Sequence, residues 1–579
     1  MKKTWVLLAL ALTLVGCSAG ATETKLPIPP TNLPQQTRTP PPTATTVLSP
    51  TVEEDVNGTR SGDPLAIEVG ELFSTSGSCA VCHTNLTDES GAGVSIDSFW
   101  RATMMANAAR DPYWQAAVRS EVMDFPDLAD VIQEKCSTCH MPMAHTTAVD
   151  KGEMGVMFGD DGFLNPENDL YPLAIDGVSC TVCHQIREDG LGTEATFSGG
   201  FVIDSELRSP DRVIFGPFKM GDGLARIMQS SSGYRPIQGL HLSRSALCAS
   251  CHTLYTSYVD ASGQIAGDFP EQVPFFEWYY SSYRNTQTCQ DCHMPEADGG
   301  VKISSMSRIL RSPFAVHSFV GGNAYMLGVL DEFGDEIGVT ASSENFDAAI
   351  ERTLNQLQNN SATVEFESVR LAGTRIIADV VVRNLAGHKF PTGFPSRRAW
   401  LHFTVLDGSG QTVFESGGYN EDGSIIGNDN DADPSLWEQH YLAIVEPNQV
   451  QIYEAIMRDT EGEITTALLY AAEYRKDNRL LPDGFEKKSP YEDIAVRGGA
   501  MEDEDFQGGV DNIQFAVDIG SATGPITVKV ELLYQTISFR WADNLRDKET
   551  EEIQRFLRYM DTVPNLPVVI ASTSVEAGN

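Results

Sequence analysis

The sequence predicts two unlike halves, a mainly α-helical and irregular N-terminal domain and a C-terminal antiparallel β-sandwich domain. Three observations carry this. A Cys-x-x-Cys-His series runs from 79 to 293. From about Ser361 the texture shifts to segments rich in Val, Ile, Thr and aromatics. Clusters of Gly, Asp and Asn punctuate those segments as turns do.

At the N-terminus, Lys2 and Lys3 precede an apolar run, Trp5 to Val15, closed by Leu14-Val15-Gly16-Cys17. A positive start and a short apolar core read as a secretory signal over 1–17, too short to span a bilayer as a helix. Leu-Val-Gly-Cys resembles the bacterial lipobox, in which cleavage before the cysteine leaves its thiol to take diacylglycerol. Cys17 is therefore the expected lipidation site, with a membrane as partner through that anchor. Residues 18–62, with Pro27-Ile28-Pro29-Pro30 and Thr39-Pro40-Pro41-Pro42, hold almost no large apolar side chains. Such a segment cannot bury a core, and its prolines favour an extended tether. The expected location is outside the cytoplasm, on a bacterial membrane facing the periplasm or the cell exterior.

The domain expected over 63–344 is defined by five motifs: Cys79–Cys82–His83, Cys136–Cys139–His140, Cys180–Cys183–His184, Cys248–Cys251–His252 and Cys289–Cys292–His293. They use ten of the eleven cysteines. This spacing is the attachment signature of c-type haem. Two thiols one helical turn apart can each add to a haem vinyl group, and the adjoining histidine becomes the proximal iron ligand. Zinc sites and redox CxxC pairs do not call for a histidine after the second cysteine. Five covalently bound haem c groups are therefore expected, with porphyrin serving as much of the core. Between the motifs the sequence reads as short helices and irregular loops, such as 150–172 and 186–240.

Five irons leave five distal positions to fill, and six histidines lie outside the motifs. His145 stands five residues after His140, His241 seven before Cys248, and His317 soon after the fifth motif. His388 lies in Gly387-His388-Lys389-Phe390-Pro391-Thr392-Gly393, a loop whose glycines and proline can present an imidazole outward. These four are the distal candidates. His402, alternating within a strand, reads as structural, and His440 stays between the two roles.

A helix over 345–357 is expected to join the halves, with a connector assigned to 345–360. In the domain assigned to 361–579, strands are expected over 362–370, 374–384, 400–406, 411–415, 449–458 and 526–539. A last helix over 547–559 is expected to pack on the sandwich. Asp429, Asp431 and Asp433 alternate in Asn428-Asp429-Asn430-Asp431-Ala432-Asp433, a pattern compatible with Ca²⁺ as well as with an exposed acidic turn. Arg397, Arg398, Arg475 and Arg479 are candidates to pair haem propionates.

The haem half resembles bacterial multihaem cytochromes of the c-552/c-554 type over roughly 63–330. The resemblance rests on the CxxCH series, on Cys-His-Met-Pro at 139–142 and 292–295, and on His241 ahead of Cys248. It implies that histidines so placed serve as distal ligands. The Gly387–Gly393 loop, followed by Phe394-Pro395-Ser396-Arg397-Arg398-Ala399-Trp400, looks like a C-terminal domain found on some of these proteins. One departure stands out. Related cytochromes often carry Ser-x-His-Ala after the first motif, where this chain has Thr103-Met104-Met105-Ala106. Met105, with Met104 as substitute, is therefore the candidate fifth distal ligand.

The net charge of −39 argues against nucleic-acid binding and favours a basic redox partner. Four histidines and one methionine match five irons, so the expected function is electron transfer between redox partners, with no side chain doing covalent chemistry. Two alternatives stand beside it. One is a reductase or oxidase of a small nitrogen or sulfur compound with one open haem, though no CxxCK motif of the pentahaem nitrite reductases is present. The other is a subunit of an extracellular haem conduit.

Overall fold

The computed structural model describes residues 60–577, apart from 489, 490, 521 and 523. The signal segment, Cys17 and nearly all of the tether lie outside the described residues.

Helices in the N-terminal half are short, and most carry or brace a motif. They include Ser76–Ala80, Pro112–Asp124, Ala129–His140, Cys180–Cys183, Ser245–Cys248, Pro274–Tyr279 and Cys289–His293. The 186–240 stretch is less irregular than the sequence suggests. Strands Arg212–Gly216 and Tyr234–Gln238 pair in parallel around the helix Asp222–Ser232. Gly233, at φ +77°, ends that helix in the left-handed conformation that glycine tolerates best. A hairpin, Leu254–Val259 with Ile265–Gln272, follows the fourth motif.

The C-terminal half holds a small antiparallel sheet of Ile464–Thr465, Ala455–Arg458 and Glu473–Asp477 and two larger sheets. One orders strands Ala443–Ile444, Val510–Asp518, Arg375–Asn384 and Ala362–Ala372. The other orders Thr412–Ser416, Arg398–Leu406, Ile526–Gln535 and Val568–Ala577, with Ile452–Tyr453 added beside Arg398–Leu406. All pairings within them are antiparallel except that of Ala443–Ile444 with Val510–Asp518. Alternate residues Ile376, Ala378, Val380 and Val382 of one sheet, and Val528, Val530 and Leu532 of the other, are fully buried. Between the sheets the rings of Phe403 and Phe515 stack with centroids 3.9 Å apart. The linking helix spans Ser343–Asn360, capped by Ser342 and Asn345.

The last helix, Glu551–Thr562, departs from expectation. It packs on Pro112–Asp124 of the N-terminal half rather than on the sheets. Its buried face, Ile553, Phe556, Leu557 and Tyr559, joins a cluster containing Tyr113, Ala116, Met326 and Phe346. Arg119 grips Glu552 with two hydrogen bonds, and Lys548 pairs Asp124 at 2.5 Å. The two halves are thus joined through an apolar core as well as through the loops described next.

Candidate haem-binding site

Each Cys-x-x-Cys-His lies on a single helical turn. The His83 and His184 amides bond the carbonyls of Cys79 and Cys180 at 3.1 Å, and the His252 amide bonds that of Cys248 at 2.9 Å. His140 and His293 close the helices Ala129–His140 and Cys289–His293. The i to i+3 spacing on a helix places both thiols of a motif on one face. None of the ten motif cysteines is in a disulfide.

Second contacts fix the imidazoles. Nδ1 of His83 faces the Ile303 carbonyl at 2.5 Å, that of His140 faces Ala108 at 3.2 Å, that of His184 faces Phe215 at 2.7 Å, and that of His293 faces Val320 at 2.5 Å. A carbonyl at Nδ1 sets the tautomer with its lone pair on Nε2, the nitrogen then free to ligate. Burial pushes His83 and His184 down, and takes His140 and His252 down to about 4. These rings are neutral at physiological pH, as ligation requires.

Two of the four histidine candidates face a motif imidazole. His317 lies opposite His184 with ring centroids 6.3 Å apart and planes 15° apart. His388 lies opposite His293 at 6.2 Å and 13°. Nδ1 of each is bonded to a carbonyl, Ala315 for His317 and Lys389 for His388, so Nε2 again carries the lone pair. A metal–imidazole bond of about 2 Å on each face, plus about 1 Å from ring nitrogen to ring centre, separates two such rings by about 6 Å. Both pairs therefore fit a shared iron. Burial takes His317 down to about 3 and lowers His388 as well.

The other candidates sit differently. His145 gives Nε2 to Glu134 at 2.8 Å, with the Thr138 hydroxyl at 3.2 Å. His241 is buried against Phe215, and its Nε2 donates to the Ile186 carbonyl at 2.8 Å. Among the described residues, neither pairs its ring with a motif histidine as His317 and His388 do. Met105 is half-buried, and its carbonyl accepts from the Val178 amide at 3.0 Å. Gly177, at φ +62°, makes that approach possible, since a Cβ there would lie 2.7 Å from the Met105 oxygen. Met104 packs on the apolar cluster around Tyr113.

His402 bonds Glu415 at 2.8 Å across the surface of its sheet. His440 is locked in a buried network. Its Nδ1 accepts from the side-chain amides of Gln451 and Asn478, and its Nε2 donates to Asp503 at 2.9 Å. Both ring nitrogens are thereby committed.

The aspartates do not form the calcium loop that their spacing suggests. Asp431 puts both oxygens on Arg398, at 2.8 and 2.9 Å, and accepts the Ile425 amide. Asp433 caps Ser435, and the Asp429 amide bonds Glu438. Among the described residues, ligand atoms of three His, Cys, Asp or Glu converge only at His440, Asp503 and Asp511. The arginines divide similarly. Arg398 is consumed by Asp431, Arg479 by Asp477 and Glu277, and Arg475 stacks on Trp437 at 4.2 Å. The Arg397 guanidinium bonds the Thr392 carbonyl.

The motifs adjoin one another in an order the sequence does not display. Ser76 bonds Asp176 through its amide and hydroxyl, and Thr181 bonds the Ser74 carbonyl, which ties the first motif to the third. Arg244 pairs Glu188 at 2.8 Å, between the third and fourth. Gly199, at φ +81°, donates to the Ser250 carbonyl, and a Cβ there would run into Thr138 and Cys139, so this glycine lets the fourth motif lie close to the second. The Cys289 amide bonds the Ser245 hydroxyl, joining the fourth to the fifth. Thiols meet across three of these joints: Cys79 with Cys180, Cys139 with Cys251, and Cys248 with Cys289.

No family model and no curated protein matches the chain. Among solved structures the chain is similar to a penta-haem cytochrome c552 from Thermochromatium tepidum. The TM-score is 0.48 and the identity 16%, over 87% of this chain and 98% of that one.

Proposed function

We propose that this chain is a pentahaem c-type cytochrome that carries electrons between redox partners outside the cytoplasm, held to a membrane by lipid on Cys17. The observation that carries the reading is the recurrence of one local structure five times. Each copy sets two thiols on one helical face with a histidine just below them.

When bound, each haem c supplies a centre that takes up and releases one electron. The chain's own residues do the rest. The ten motif cysteines attach the groups as thioethers, and His83, His140, His184, His252 and His293 hold the proximal side. His317 and His388 supply second imidazoles to the motifs ending in His184 and His293. Backbone carbonyls on Nδ1 orient the rings of His83, His140, His184, His293, His317 and His388 and raise their basicity. The joints between motifs hold the attachment segments against one another, so that haems bound there would be neighbours. The acidic surface of the chain suits a basic partner, and ionic strength should slow their association.

The test is EPR and optical spectroscopy of the purified oxidised protein, with and without nitrite, hydroxylamine or sulfite. A saturated carrier gives five low-spin haems that none of these ligands perturbs. A high-spin signal that shifts on adding one of them would replace the carrier by an enzyme with an open iron.

A further inference from the structure

His388 is delivered by a loop whose backbone is gripped from the other half of the molecule. Glu277 is a lone charge in Pro274-Phe275-Phe276-Glu277-Trp278-Tyr279, the turn between the fourth and fifth motifs, and it is fully buried. Its Oε2 accepts the Lys389 backbone amide at 3.2 Å and the Thr392 hydroxyl at 2.5 Å. Its Oε1 lies 3.0 Å from a guanidinium nitrogen of Arg479. Arg479 also grips Asp477 through two nitrogens at 2.9 and 2.8 Å, and the Lys389 ammonium meets Asp477 at 2.6 Å.

Two cations and two carboxylates thus cancel in a space closed to water. Burial opposes the charge on Asp477, but Arg479 and then Lys389 outweigh it and hold that carboxyl below the usual range. On the other side of His388, a Cβ on Gly387 would lie 3.3 to 3.5 Å from Tyr283 and Trp278. The Asn384 amide bonds the His388 carbonyl at 2.8 Å. The loop is therefore braced on both sides of the imidazole, before it by the Tyr283 hydroxyl on the Leu385 carbonyl at 2.8 Å and after it by the Glu277 carboxylate.

We propose that Glu277 is the positioning residue for His388. It fixes the 388–392 backbone against the haem half, so that the imidazole stays opposite His293, and its charge completes the neutral network beside that site. The proposal rests on the reading of His388 as second ligand at the fifth motif. Glu277→Ala removes both functions. Glu277→Gln keeps an acceptor oxygen for Lys389 and Thr392 but leaves one uncompensated positive charge buried next to the haem. That charge disfavours the oxidised state, which is the more positive one, so the midpoint potential rises.

The experiment is EPR with spectroscopic redox titration on the haem-loaded wild type, His388→Ala, Glu277→Ala and Glu277→Gln. In His388→Ala, one low-spin haem becomes high-spin. In Glu277→Ala the same haem gains a high-spin fraction while the other four signals stay as they were. In Glu277→Gln it stays low-spin and its potential alone moves upward. A His388→Ala protein with all its low-spin signals intact would overturn the ligand reading, and with it the premise. A high-spin haem in His388→Ala, with wild-type signals and potentials in both Glu277 variants, would overturn the positioning role alone. If Glu277→Ala does not accumulate, Thr392→Val, which removes one of the two bonds from Glu277 to the loop, decides: a high-spin fraction at the same haem supports the role and an unchanged signal overturns it.

Discussion

The indole of Trp114 lies parallel to the imidazole of His140, with ring centroids 4.2 Å apart and planes 2° apart. Trp114 stands on the helix Pro112–Asp124, whose first turn is capped by Asp111 accepting the amides of Tyr113 and Trp114. The His140 ring is held on its flat side by this indole and at Nδ1 by the Ala108 carbonyl. Its rotation about the axis through Nε2 is thereby fixed, and with a haem bound there as proposed that rotation would govern the anisotropy of the low-spin ferric iron. Replacing Trp114 with Leu should change the EPR g-values of one haem and leave four unaltered. It should also cost about 2 kcal/mol of stability, since the side chain is only partly buried. Denaturant unfolding followed in the Soret band checks the second outcome.

The imidazole pairs make a separable prediction. His317→Ala and His388→Ala should each convert one haem from low-spin to high-spin, and the double variant should convert two. Titration with imidazole should restore both low-spin signals. Loss of the same signal in both single variants would mean that the two histidines do not serve different irons.

Buried acids set a pH dependence. Burial pushes the Glu121 carboxyl up to about 7, against the lowering effect of the Leu468 and Leu469 amides that it accepts. In the unfolded chain it titrates near 4.5. Between these values the folded protein holds a proton that the unfolded chain has lost, so stability falls as pH rises through the window. This one group should contribute a slope of about 1.4 kcal/mol per pH unit, level above about pH 7. Glu121→Gln should flatten the curve of unfolding free energy between pH 5 and pH 7, as read by denaturant midpoints. A wild-type slope in the variant would assign the dependence to other groups, such as Asp511, which burial raises to about 6.

The neutral network beside His388 should be costly to break. Asp477→Asn leaves Lys389 and Arg479 facing only Glu277 in a space closed to water. Removing one partner of a buried ion pair typically costs about 3–5 kcal/mol. Thermal unfolding of the haem-loaded protein measures this, and a loss of under 1 kcal/mol would mean that water or rearrangement relieves the charge.

Much of the site was readable because it is local. Each motif needs only one helical turn, so the ten cysteines and five histidines proposed to hold haem could be named from spacing alone. The distal side depends on tertiary contacts. His317 and His388 meet histidines 133 and 95 positions away, if counted along the sequence, and their nearness to a motif in the chain was no guide to which one. His145, nearest of all to a motif, instead finds Glu134 one helix away. The pairing of Glu277, Lys389 and Asp477 through Arg479 is not written in their spacing, although a single acid in the apolar run 274–279 is a signal. Trp114 had none, because stacking on His140 requires two helices to meet.

The fold was legible to a similar degree. Segments with clean alternation, such as 375–384 and 526–535, read as strands. Val510–Asp518 did not, because Asp511 is buried to meet the Tyr453 hydroxyl at 2.8 Å and so breaks the polar–apolar pattern. Val568–Ala577 is an edge strand with mostly open side chains, so little apolar periodicity marks it. The last helix carried its amphipathic face plainly, but not the identity of the surface that would cover it.

Anchoring is tested apart from the haems. Cys17→Ala should release the protein from the membrane fraction into the soluble extracytoplasmic fraction with its haem content unchanged. Retention on the membrane would show that something other than lipid on Cys17 holds it.

The most direct test of the central claim is the haem content of the purified full-length protein, by intact mass and by haem assay after acid–acetone extraction. Five haems per chain, all retained by the polypeptide, are predicted from the five motifs. Fewer than five, or haem that extracts into the solvent, would contradict the account.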